Sequence, residues 1–191
     1  MDAQHLQVST PAEIQDVQGL LREYTAWAFT LAAESEGIPT FEGLEQELAT
    51  LPGIYGPPTG CLLLAMEDRQ PAGCVALKER GAAVGELKRL YVQPTFRGRD
   101  IGRQLVAAAI ANARTSGYRR LILDSHISMT KAHEIYMAAG FRKASAPGDF
   151  PDALKPIAVF MELDLEGEGP EPSGSGLAVP TANVGRTSNA D

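Results

Sequence analysis

Glu86-Leu-Lys-Arg-Leu-Tyr-Val-Gln-Pro-Thr-Phe-Arg-Gly-Arg-Asp-Ile-Gly102 reads as a strand, a turn carrying Pro94, and an Arg/Gly loop that opens directly into a helix. That order of parts builds an anion site. The first turn of a helix presents backbone N–H groups with no helical acceptor and the positive end of the macrodipole. Gly98 and Gly102 allow close backbone approach, and Arg97, Arg99 and Arg103 add charge. The expected ligand carries a phosphate or pyrophosphate.

Outward from this stretch, Leu105, Val106, Ala109, Ile110 and Ala113 recur at helical spacing, predicting a helix over Ile101–Ser116 with Gly117 just beyond its end. Upstream, Gly60–Met66, Pro71–Lys78 and Val84–Val92 are apolar runs with short polar connections, the pattern of an antiparallel meander. Downstream, Arg120–Asp124 reads as a buried strand, Met129–Ala139 as a helix capped by Ser128 and ended at Gly140, and Phe141–Ala144 and Ile157–Leu165 as strands around an Ala146–Lys155 loop. Leu6–Val8 is a short strand. Thr10-Pro11-Ala12-Glu13 starts a helix reaching Leu31, broken at Gly37-Ile38-Pro39 and followed by a shorter one over Glu42–Thr50. The sum is an α/β fold with a mixed sheet in one domain over residues 1–165. Residues 166–191, small and polar, read as a disordered tail.

At 191 residues, 44% of them hydrophobic, the chain supports a sizeable core. A net charge of −7 offers no general basic surface for a nucleic-acid backbone and suits a cationic partner better. No apolar run approaches the roughly 20 residues of a membrane span, and the start lacks a signal-peptide pattern, so a cytoplasmic location is expected. Cys61 and Cys74 sit in apolar strands and read as buried thiols; three scattered His residues give no metal-ligand spacing, and no metal is expected. A homodimer is left open.

Three ligands compete for the anion site. A P-loop requires Gly-Lys-Ser/Thr after the glycines, which is absent. A dinucleotide fingerprint requires G-x-G-x-x-G, which Arg97–Gly102 does not provide. The third is coenzyme A. The run ELKRLYVQPTFRGRDIGRQLV resembles motif A of the GNAT N-acetyltransferase superfamily, and KAHEIYMAAGF resembles its motif B helix. Element order and spacing also match over about residues 4–165.

The resemblance implies a sheet splayed between its fourth and fifth strands, with acetyl-CoA in the cleft. Main-chain groups of Leu90, Tyr91 and Val92 would face the pantetheine and thioester, and the amides of Arg97, Gly98, Arg99, Asp100, Ile101, Gly102 and Arg103 would hold the pyrophosphate. A β-bulge is expected at Lys88-Arg89. Tyr136 would be the general acid to the CoA thiolate, Glu86 the general base, and an amide near Val92 the oxyanion donor. Each has a plainer reading: Tyr136 as a core residue, Glu86 as an exposed strand carboxylate. Asp100 departs from the signature, which has Gly there; the departure predicts a reshaped or weakened cradle. His126 reads as a solvated loop residue near the cleft, and Tyr24, Trp27 and Tyr55 as core or pocket-shaping aromatics. The implied activity is acetyl transfer to an amine of a small molecule or peptide in a ternary complex; the rival is a non-catalytic acyl-CoA-binding module.

Overall fold

Cys61-Leu-Leu-Leu-Ala65 shows how one sheet comes to have two cores. Successive side chains of a strand point to opposite faces, so Cys61, Leu63 and Ala65 enter one apolar cluster and Leu62 and Leu64 another. The computed structural model describes residues 4–33 and 43–166. Their strands are β1 (Gln4–Gln7), β2 (Cys61–Glu67), β3 (Gln70–Gly81), β4 (Val84–Val92), β5 (Arg120–His126), β6 (Arg142–Lys143) and β7 (Ala158–Asp164), in spatial order β1-β2-β3-β4-β5-β7-β6. The first four form the expected antiparallel meander. β5 lies parallel to β4, which requires a crossover. The helix α3 (Ile101–Thr115) supplies it and packs on the first core through Leu105, Val106, Ala109 and Ala113. α4 (Thr130–Ala138) covers the same face, while α1 (Pro11–Ala33) and α2 (Leu44–Ala49) cover the other.

The start of α1 follows its sequence closely. Glu13 Oε2 accepts from the amides of Ser9 (2.8 Å) and Thr10 (2.9 Å), and the Glu13 amide donates to Thr10 Oγ1 at 3.3 Å, a reciprocal cap. Ser128 differs from expectation. Its amide and hydroxyl both point at His126 Nδ1 (3.3 and 2.7 Å), so α4 begins later, with no side-chain cap. The predicted strand at Phe141–Ala144 is shorter, spanning only β6, because Phe141 turns into the first core against Tyr136. The break at Gly37-Ile38-Pro39 and residues 167–191 of the predicted tail lie outside the described residues. Cys61 and Cys74 are buried free thiols, pushed up to about 11 and about 12 respectively by burial. No described helix is long and apolar enough to cross a membrane.

The feature that positions the site is where the sheet opens. β4 and β5 pair only at Val84↔Arg120, Gly85↔Leu121 and Glu86↔Ile122. Beyond that β5 stays with β7 along its whole length, up to His126↔Ala158. The β5-facing edge of β4 from Leu87 to Val92 therefore has no strand partner among the described residues, and the expected splay is present.

Candidate active site

The open edge of β4 is reshaped by one extra residue. Cys74 pairs with Tyr91 and Ala76 with Lys88, so two steps along β3 oppose three along β4. This is the bulge expected at Lys88-Arg89, and Arg89 occupies the left-handed region at φ 60°. Its effect is visible in the cores: Leu87 faces α3, whereas Tyr91, four residues on, faces α1. An uninterrupted strand would put both on one face. What holds Arg89 there lies on α2. Its Nε and Nη2 reach Glu47 Oε1 and Oε2 at 2.9 and 2.5 Å, a forked pair of low exposure, and Tyr55 donates to Glu47 Oε1 at 2.9 Å. Burial works against the Glu47 charge, but Arg89 outweighs it and, with Tyr55, holds the carboxyl below the ordinary glutamate range.

From Val92 the chain passes through Pro94–Phe96 and the Arg97–Asp100 loop into α3, enclosing a cleft of about 820 Å³ between β4, the α3 first turn and α4. Leu90, Tyr91, Val92, Arg97, Gly98, Asp100, Ile101, Gly102 and Arg103 all line it. The first helical bond of α3 is Gln104 N to Asp100 O at 3.1 Å, and no side chain caps the helix. The amides of Ile101, Gly102 and Arg103 thus precede any helical acceptor, the condition for holding an anion. Gly102 matters for a packing reason: a Cβ there would stand 3.0 Å from Ile135 Cδ1 of α4, at the cleft wall.

The three arginines are used differently from a simple ring of cations. Arg97 Nε donates to Val92 O at 3.0 Å, and its guanidinium lies 5.0 Å from the Trp27 ring and 6.0 Å from that of Tyr91. It is a brace between α1 and the loop. Arg99 is not among the residues lining the cleft; it reaches Glu67 at 3.5 Å and stacks over Phe96 at 5.3 Å. Arg103 lies on the cleft and pairs with Asp100 at 3.5 Å, both side chains well exposed.

Asp100 takes the left-handed conformation at φ 63°, which a glycine adopts freely. Replacing it removes a strained non-glycine residue and a carboxylate from the mouth of an anion site, and the lost Arg103 pair is worth little at that exposure. Asp100→Gly is therefore expected to bind coenzyme A several-fold tighter (about 1 kcal/mol), as measured by calorimetry. Unchanged or weaker binding means the carboxylate is integral to the loop.

On the far side of the opening the groups are charged. Glu86, on β4, is buried, with Lys78 Nζ 3.0 Å from Oε2 and Lys88 Nζ 3.3 Å from Oε1. Lys78 lies off the hydrogen-bonding direction, so Oε2 has no donor aimed at it. Lys88 bridges the splay by donating to Asp124 Oδ1 on β5 at 2.8 Å. Burial opposes the Lys88 charge, but Asp124 and Glu86 outweigh it and keep the ammonium above the ordinary lysine value. Glu86 and Asp124 both line a second cavity, of about 900 Å³, on the face opposite the α3 first turn. Tyr136, on α4, is buried against Phe141, and its hydroxyl makes no hydrogen bond among the described residues. Burial, then the neighbouring Tyr24 and Asp124, push its phenol well above the ordinary tyrosine value.

Tyr24, Trp27 and Tyr91 form an aromatic group beneath the cleft (centroids 5.8 to 6.3 Å apart), with Trp27 also on the cleft lining. Tyr55 instead serves Glu47. Sequence reading missed Glu47, Lys88 and Asp124. Only the charged pair at the bulge drew attention to Lys88; nothing local ties Asp124, on β5, or Glu47, more than forty residues from Arg89, to that strand.

Known proteins share this fold and much of this sequence. Residues 20–141 match the model of the acetyltransferase (GNAT) family. An uncharacterized N-acetyltransferase of Schizosaccharomyces pombe is 32% identical over 161 residues, covering 83% of this chain and 92% of the relative. An aminoglycoside N(6')-acetyltransferase type 1 of Stenotrophomonas maltophilia is 30% identical over 142 residues, 70% of this chain and 89% of that one. Among solved structures, the PaiA N-acetyltransferase of Thermoplasma acidophilum, crystallised with coenzyme A, superposes with a TM-score of 0.60 at 19% identity, over 86% of this chain and 99% of that one.

Proposed function

This chain belongs to the GNAT family of acetyltransferases, and from that premise we propose that it moves the acetyl group of acetyl-CoA directly to an amine of a small molecule or peptide. As an N-acetyltransferase it transfers an acyl group from a CoA thioester to an amine, releasing the thiol. The observation that carries the finer reading is the opening between β4 and β5. The unpaired β4 edge leads into the uncapped first turn of α3, and buried charged groups stand behind the opening. The pantetheine would lie along Leu90–Val92 with the pyrophosphate on the amides of Gly98 to Arg103. The thioester would then sit between the two cavities, open to an acceptor from the Glu86 side.

Two proton transfers must be managed. A primary amine with a pKa near ~10 is about a thousandth neutral at pH 7, so a base is needed. Glu86 suits that role because its carboxylate lines the second cavity beside the β4–β5 opening. The neutral amine attacks the thioester carbonyl; the tetrahedral oxyanion is held by a β4 amide near Val92. Collapse breaks the carbon–sulfur bond, and the departing thiolate takes the proton of Tyr136, whose phenol stays protonated through the neutral range because burial raises it. The surplus proton on the new amide nitrogen leaves to solvent, from which the tyrosinate is reprotonated. No enzyme nucleophile is required. Incubating the protein with acetyl-CoA and a panel of primary amines, with thiol release and product mass followed together, tests the proposal. Equal amounts of thiol and acetyl-amine are expected; clear CoA binding without turnover would leave a non-catalytic acyl-CoA-binding module.

A further inference from the structure

The floor of the second cavity follows from the strand register. Ile122 pairs with Glu86 on one side and with Glu162 on the other, and Asp124, two residues on, pairs with Phe160. Directly paired residues share a face of the sheet, as do residues two apart on one strand. Leu121, Leu123 and Met161 enter the first core, so this set takes the opposite face. Val84, two residues before Glu86, joins it. Phe150, from the loop after β6, stands edge-on to Phe160 with ring centroids 4.7 Å apart. Val84, Ile122, Phe150 and Phe160 are all half-buried, and none belongs to either core. Together they give the cavity an apolar wall that begins beside Glu86.

The charged groups around that wall already have partners. Glu86 pairs with Lys78 and Lys88, Asp124 with Lys88, Arg80 with Asp149, and Arg120 with Glu162, which Arg142 also reaches. Lys143 stands opposite Met161, which faces the first core, so its side chain leaves by the other face. A second charge on a ligand would find its partner here only by breaking an existing pair. Apolar surface is what the cavity has to offer, and two of the four residues offering it are aromatic. A ring laid on Ile122 would stand one strand spacing, about 5 Å, from Glu86. A two-carbon arm between nitrogen and ring spans that gap.

We infer that this cavity receives the body of the acceptor, and that the acceptor is a primary amine on an uncharged aromatic body, its ring on Ile122 against Phe150 and Phe160 and its nitrogen at Glu86. The inference rests on the acetyl-transfer reading for the identity of the reacting group; the choice of body rests on the cavity alone. Calorimetry of the full chain saturated with coenzyme A tests it, with 2-phenylethylamine, butylamine, cadaverine and δ-aminovalerate as probes near neutral pH. 2-Phenylethylamine is expected to bind about tenfold more tightly than butylamine. Cadaverine and δ-aminovalerate should bind no better than butylamine, because neither second charge meets an unpaired group. Phe150 lies outside both cores, so Phe150→Ala should fold normally. It should weaken 2-phenylethylamine about fivefold and leave butylamine and coenzyme A unchanged. Equal binding of the first two probes by the native chain, tighter binding of either doubly charged probe than of 2-phenylethylamine, or a preference indifferent to Phe150→Ala would overturn the inference. If the preference and its dependence on Phe150 are found but 2-phenylethylamine is not acetylated, the cavity assignment stands and the acetyl-transfer reading is what fails.

Discussion

Tyr136→Phe is expected to lower kcat about a hundredfold, the lower end of what a positioned proton donor contributes, with little change in KM for acetyl-CoA or in thermal stability. The hydroxyl has no hydrogen bond among the described residues, so its removal strands no partner, and the ring contact with Phe141 at 5.7 Å is kept. A purely structural tyrosine predicts the reverse, a small loss of stability with kcat intact. The raised phenol also fixes the pH behaviour: the donor is fully protonated below and through the neutral range, so the deficit of the variant should not shrink between mildly acidic and mildly alkaline pH. Steady-state kinetics across that range check both points. An unchanged kcat removes the acid assignment.

The second large effect concerns the bulge. Arg89→Ala takes away one partner of a low-exposure ion pair and leaves Glu47 with Tyr55 alone, a change expected to cost about 3 kcal/mol in denaturant unfolding. Arg89→Gly separates side chain from backbone. It loses the same guanidinium but adopts φ 60° freely, so it should be less destabilised than the alanine variant by about 1 kcal/mol. The pair also has a pH signature. Because the folded Glu47 carboxyl lies below its unfolded value, its contribution is complete above roughly pH 4.3 and is lost as pH falls through the depressed folded value. Native protein should therefore lose stability on acidification more steeply than Arg89→Ala does. Equal slopes and a loss under 1 kcal/mol would show that Glu47 does not anchor the bulge.

These two sites also show what the sequence made legible. Tyr136 stood out because its helix carries a recognisable spacing ending at Gly140, and the loop before α3 because Arg, Gly and a helix start follow one another directly. Such signals are local. The bulge was legible because Lys88-Arg89 interrupts simple in–out alternation in the strand where the resembled family carries one. Its anchor was not, because Glu47 lies on a short helix whose placement is decided by Leu48 and Tyr55 packing into the second core. Arg97 and Arg99 were read as cations for a ligand on proximity in sequence; in the fold their side chains reach the Trp27 ring and Glu67, since planar guanidinium groups take the nearest ring or carboxylate. Ser128 looked like a cap and turned to His126 instead. Backbone amides at a helix start are written into local sequence, whereas the partners of long side chains depend on the whole packing.

Initial rates measured over a matrix of acetyl-CoA and acceptor concentrations test the central claim most directly, that the acetyl group passes straight from thioester to amine in the β4–β5 opening. Direct transfer predicts double-reciprocal lines that intersect, with no acetylated protein detectable by mass when acetyl-CoA is supplied alone. Parallel lines together with an acetyl group carried covalently by the protein would contradict it.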